Sequence, residues 1–163
     1  MKEPVAFDDA VDLLDSDHKA VKKMFIDYSA LCEDFAPSDA RRELAQRICT
    51  ALGVHAQLEE EIFYPRVRAA IADDAVMDEA FDEHAEAKEL IALIEDMDGT
   101  EADYDATVKQ LGKVIDQHVL EEREQIFLKA RLAALDLRGM TLPLLKRQLK
   151  LEKIATGNVK EPA

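Results

Sequence analysis

Apolar residues recur along this chain at steps of three and four, the spacing that places side chains on one face of an α-helix. The first stripe is Phe7, Val11, Leu14, His18, Val21, Phe25, Tyr28 and Cys32, and it stops before Pro37, whose ring cannot continue a helix. Ser38 is then expected to cap a second helix, with Asp39 in its first turn, on the stripe Leu44, Ile48, Ala51, His55, Leu58 and Ile62. Pro65 should kink or loosen this helix, although the amphipathic pattern runs on to Ile71. A third helix starts at Asp73 and Asp74 and carries Met77, Ala80, His84, Ala87, Ile91 and Ile94, with Gly99 as its C-cap. The fourth carries Tyr104, Val108, Leu111, Ile115, His118, Glu122 and Ile126, continues to Leu135 and is closed by Gly139. Thr141 is placed to cap a short fifth helix through Leu151, with Pro143 tolerated in its first turn.

Helices of about 25 to 30 residues are roughly 40 Å long. Short connections set consecutive ones antiparallel, so the pattern predicts an all-α, up-down-up-down four-helix bundle with a short C-terminal fifth helix. Composition agrees: 163 residues with five glycines, five prolines and no tryptophan suit one domain of long helices. Charge narrows the partners. With 21 basic and 35 acidic residues the formal charge is −14, which repels phosphate backbones and anionic lipid and argues against nucleic acid or membrane partners. The N-terminus turns acidic with no apolar signal region, and no run approaches the roughly 18 apolar residues of a membrane span. Cys32 and Cys49 form no CxxC pair and lie in helical segments, so a soluble protein in a reducing cytoplasm is expected.

All four histidines fall on the inward stripes, one near the middle of each long helix. His55 is followed by Glu59 and His118 by Glu122, and an i, i+4 pair stands one turn apart on one face, able to reach a single metal-sized volume. Random placement would put four histidines on a three-in-seven core face in roughly 3% of cases. Unpartnered burial of these groups would cost on the order of 1 to 3 kcal/mol each, which a pair of cations removes. Inward imidazole and carboxylate suit iron or manganese, whereas structural zinc more often recruits thiolates.

The segments DLLDSDHKAVKKMF around His18, HAQLEEEIFYP from His55, FDEHAEAKEL around His84 and HVLEEREQIF from His118 resemble the haemerythrin-like, or HHE cation-binding, domain family. The resemblance covers residues 8–135 and leaves 136–163 as a short helix and tail outside the shared core. It implies a left-handed bundle around a non-haem di-iron centre bridged by oxo, hydroxo or water. His18 and His55 would ligate one iron, His84 and His118 the other, and Glu59 and Glu122 would bridge them. Manganese or zinc could replace iron in a recombinant sample. Oxygen-carrying members have two histidines a turn apart on the third helix. Here the positions one turn from His84 are Ala80 and Lys88, so Glu83, Glu60, Glu121 or water is left to complete that iron, as ligand or from just outside it. The fourth helix also has Leu128 after Phe127 where many relatives have proline.

Three functions follow as expectations. The leading one is a cytoplasmic module that binds or senses oxygen, nitric oxide or iron, read by a protein partner or as a homodimer. The second is a di-iron enzyme reducing peroxide, oxygen or nitric oxide. The third is a structural or interaction bundle with a degenerate site, against which the two intact H-x-x-x-E pairs speak. The tyrosines Tyr28, Tyr64 and Tyr104 read as core aromatics.

Overall fold

The computed structural model describes residues 7–157. Its helices are α1 (Ala10–Glu33), α2 (Ser38–Leu58), α3 (Tyr64–Ile71), α4 (Asp74–Asp96), α5 (Tyr104–Glu121), α6 (Leu128–Leu132) and α7 (Thr141–Ala155). Two wider π turns, Glu59–Phe63 and Glu122–Phe127, join α2 to α3 and α5 to α6 without a break. There is no strand among the described residues. Four long rods result, and each packs on two neighbours: α1 lies between α2 and α5, and α4 between α5 and α2. The chain is a four-helix bundle with α7 laid across α2 and α1.

The helix ends follow backbone chemistry. Asp9 caps α1 by accepting from Asp12 N at 2.9 Å, and Asp73 caps α4 by accepting from Val76 N at 3.3 Å. The cap expected of Ser38 falls instead to Pro37, whose carbonyl accepts from Ala40 and Arg41; its ring fixes φ at −56°, so the helix begins one residue earlier. Thr141 likewise sits inside α7 with Met140 as the cap residue. Helix α4 ends at Asp96, and Gly99 turns the following loop at φ +100°, where an added Cβ would stand 3.1 Å from Arg42 Cβ. The fourth rod ends at Leu132, earlier than the apolar spacing suggests, because Leu137 and Met140 turn inward to join the core. Helix α7 runs to Ala155, four residues beyond the expected end.

The core is two apolar clusters with a polar band between them. One contains Leu14, Leu58, Tyr64, Met77 and Phe127, together with Leu144 and Leu151 of α7. The other contains Val21, Leu52, Ala87, Ile94 and Leu111. On each rod the histidine lies between the two clusters, so their packing fixes the height of all four imidazoles. Full burial of each large side chain contributes about 1.5 to 3 kcal/mol, which is how the bundle carries six buried polar residues.

Candidate metal centre

His18, His55, His84 and His118 point inward from α1, α2, α4 and α5 and are all buried, as are Glu59 and Glu122 at the starts of the two π turns. Their ligand atoms form two overlapping sets, each within 4.8 Å: His18, His55, Glu59 and Glu122; and Glu59, His84, His118 and Glu122. The glutamates belong to both. Glu122 lends one oxygen to each half, with Oε1 at 3.1 Å from His18 Nε2 and Oε2 at 3.4 Å from His118 Nε2. Glu59 uses Oε1 for both, at 3.1 Å from His55 Nε2 and 3.2 Å from His84 Nε2.

The π turns explain how the glutamates reach this position. Each adds a residue to the turn, so the side chains four and five places after the glutamate both face inward: Phe63 and Tyr64, then Ile126 and Phe127. The ring of Pro65 accounts for the first π turn, since Pro65 has no N–H and would collide with the carbonyl four residues back. The second has no proline. What the two share is a buried glutamate at the first position.

A carboxylate holds the outer nitrogen of every histidine. The Nδ1 atoms of His18, His55, His84 and His118 lie 3.2, 3.0, 3.2 and 2.9 Å from Asp15, Asp17, Glu60 and Glu83. An acceptor outside each ring fixes the Nδ1–H tautomer and turns the Nε2 lone pair inward. Four nitrogen lone pairs and the carboxylate oxygens therefore converge on one volume. His18 Nε2 and His55 Nε2 are 3.0 Å apart, a distance two lone pairs tolerate only with a proton or cation between or beside them. Both Glu59 oxygens and Glu122 Oε1 are buried without a hydrogen-bond partner. This donor set fits cations. Two ligand atoms each about 2.1 Å from one ion are about 3.0 Å apart at octahedral right angles and about 3.4 Å at tetrahedral angles. The separations across the two sets, 3.0 to 3.4 Å, span both values and suit ligand atoms that share an ion.

In the metal-free chain burial and the neighbouring carboxylates pull His118 and His55 in opposite directions. Burial works against a charged His118, yet hydrogen bonds to Glu122 and Glu83 outweigh it and push its pKa up to about 10. His55 rises well above its ordinary value against the same burial cost, through Glu59 and Asp17. Burial raises Glu122, but His118 and His18 hold its carboxyl well below the usual range.

Tyr64 is more than a core aromatic. Its hydroxyl donates a short hydrogen bond to Glu122 Oε2 and lies 3.3 Å from His84 Nε2 and 3.5 Å from His118 Nε2. Burial first, then Glu122 and Glu59, raise its pKa well above the ordinary phenol value, so it keeps its proton in the metal-free chain. Tyr28 instead bonds Asp105 outside the site.

The remaining acids divide cleanly. Glu60 and Glu83 stand outside His84 and His118, and Glu60 is also paired with Lys88. Glu121 joins Glu79 and Glu83 in an acidic cleft of about 260 Å³ beside His118, and belongs to neither inner set. Asp15, Asp17 and the Tyr64 hydroxyl are functional groups that apolar spacing passes over. Asp15 had a local signal, lying one turn before His18 on the same face. Asp17 reaches His55 across 38 positions and had none. On the other flank all four imidazoles border a small apolar cavity of about 40 Å³, closed by Leu52, Ala87, Ile91, Ile115 and Val119.

The family model described as the hemerythrin HHE cation binding domain matches residues 9–130. This chain belongs to that family. A DNA nickase from Nostoc sp. (strain PCC 7120) is 29% identical over 120 residues, 74% of this chain and 33% of that protein. The chain thus spans about a third of that relative's length. A crystal structure of a hemerythrin HHE cation binding domain-containing protein from Mycobacterium kansasii superposes with a TM-score of 0.73 at 17% identity, covering 93% of this chain and 94% of the other. That likeness shows the shared HHE fold. The family and the His/Glu clusters together indicate a metal-binding protein. No helix among the described residues is long and apolar enough to cross a membrane.

Proposed function

We propose that the chain is a non-haem di-iron protein whose centre binds or senses a small diatomic molecule, oxygen or nitric oxide, in the cytoplasm. The observation that carries this reading is the pair of overlapping ligand sets sharing Glu59 and Glu122, bordered on one flank by a small apolar cavity. His18 and His55 would hold one iron and His84 and His118 the other, with both glutamates spanning them. A donor set of imidazole and carboxylate with no thiolate favours iron or manganese over structural zinc. When bound, the iron pair supplies electrons and a vacant coordination position. This chain's residues do the rest: the carboxylates orient the imidazoles, the apolar walls exclude water, and Tyr64 holds a proton at Oη beside Glu122. The free Cys32 and Cys49 fit a reducing compartment.

A second reading, reduction of peroxide or oxygen, is favoured by one specific observation. Tyr64 places a buried proton donor against the second half, which plain ligand carriage does not require. The nicking activity in the Nostoc relative's name gains no support from a chain of net charge −14.

Anaerobic loading with ferrous iron, followed by visible spectra under nitrogen, oxygen and nitric oxide, tests the proposal. A band that appears with the gas and disappears on its removal supports binding or sensing. Irreversible bleaching with peroxide turnover moves the second reading forward, and a spectrum indifferent to all three gases contradicts both.

A further inference from the structure

The four carboxylates outside the histidines are themselves held in different ways. Arg123 Nε donates to Asp15 at 2.6 Å, Lys88 donates to both oxygens of Glu60 at 2.7 and 2.8 Å, and Glu83 shares a cleft with Glu121. Asp17, the partner of His55, is held by Gln148, whose Nε2 donates to Oδ1 at 3.0 Å and to Oδ2 at 3.2 Å. Gln148 alone of these comes from α7, beyond the residues 9–130 that the family model matches.

Its place on α7 is anchored. Leu144 and Leu151, four residues before and three after, are buried in the bundle core and lock this face of the helix down. Arg147 beside it donates Nε and Nη2 to the two oxygens of Glu61 at 2.9 and 3.1 Å, and Glu61 lies in the first π turn, two residues after Glu59. Helix α7 thus grips one half of the centre twice, once through a histidine's carboxylate and once through the turn that carries a shared glutamate.

We infer that Gln148 is a positioning residue of the metal centre, acting through Asp17 on His55. The inference rests on the proposed metal reading. Asp17 is partly open to solvent, so without a second contact its carboxylate can rotate away from the ring. The Gln148 amide, within hydrogen-bond reach of both oxygens, holds the carboxylate beside His55 Nδ1. As a neutral donor it also leaves the carboxylate's charge to the imidazole, whereas Arg123 and Lys88 share the charge of Asp15 and Glu60.

Cobalt(II), used as a spectroscopic probe and titrated against a chelator in the full chain, tests this. Gln148→Leu should weaken the affinity of one cobalt by about three- to ten-fold, below the 10- to 100-fold typical of a group directly touching a ligand. Gln148→Lys, which keeps a donor but shares the charge of Asp17 as Lys88 shares that of Glu60, should fall between wild type and Gln148→Leu. Asp17→Asn should weaken binding too, and adding Gln148→Leu to it should cause no further loss, because both act on one contact. Melting of the metal-free variants, with exposed Lys150→Ala as control, reports any loosening of α7 separately. Unchanged affinity in Gln148→Leu, or a loss that persists undiminished in the Asp17→Asn background, overturns the inference. Wild-type protein that takes up no cobalt overturns the metal reading beneath it and is recognised before any variant is measured.

Discussion

His18 and His55 with Phe127 form one half of the centre, and His84 and His118 with Tyr64 form the other. Each half takes a histidine from one helix and a histidine and glutamate one turn apart from the next. The aromatic five residues beyond each glutamate crosses to the opposite half: Phe127 stacks on His18 at 5.7 Å and 15°, Tyr64 on His84 at 5.3 Å and 29°. The halves differ by one oxygen atom and by how tightly they close. The first has nitrogen–nitrogen and nitrogen–oxygen separations of 3.0 to 3.1 Å, and the second has 3.2 to 3.5 Å with the phenol among them. A repeated helical pattern builds both cages, and a single hydroxyl gives one of them a proton to donate.

The largest effect should come from removing what the halves share. Glu122→Ala deletes a ligand oxygen from each, so metal per chain, counted by elemental analysis, should fall from two to below one. His18→Ala damages one half alone and should leave about one ion bound. Equal losses in the two variants would mean the halves are not separable.

Erasing the difference should have a smaller effect. Tyr64→Phe makes the second half resemble the first and removes a buried hydrogen bond to a carboxylate, worth about 1.5 to 3 kcal/mol in the metal-free protein. Urea unfolding should show that loss, and the two metal affinities should move closer together. A variant as stable as wild type would show that the phenol contact carries no energy.

The metal-free centre should also respond to pH. The pKa of His118 is raised above its ordinary 6.5 to about 10 in the fold, so its contribution to stability is fully present below about pH 6.5 and is lost as pH rises through about 10. The melting temperature of the metal-free protein should therefore decline across that window, while the metal-loaded protein stays level. Metal uptake near pH 8 should release protons, measurable by calorimetry in buffers of different ionisation enthalpy. The smallest change is expected of Lys88→Gln. It removes a half-exposed pair with Glu60 outside His84 and should shift stability by roughly 0 to 1 kcal/mol.

Much of this arrangement was legible in the apolar spacing. The period of 3.6 specifies which face of each rod is buried, so the four rods and the six inward His and Glu residues could be read from it. Two kinds of feature escaped. The π turns depend on how the backbone relaxes around Pro65 and around Glu122, and a strict i, i+4 reading therefore leaves Ile62 on the stripe where Phe63 and Tyr64 are the buried pair. Groups that meet only in three dimensions left no local signal. Asp17 and Gln148 are 131 positions apart, and the Tyr64 hydroxyl tips a ring that any core would accept. Helix caps slipped by one residue at Ser38 and Thr141 because a preceding proline or turn supplied the carbonyl first.

The most direct test of the central claim is the number of metal ions bound per chain after anaerobic loading with ferrous iron and removal of the excess. A dinuclear centre spanned by Glu59 and Glu122 predicts two, lost together in Glu122→Ala. One ion or none in well-folded wild-type protein would contradict it.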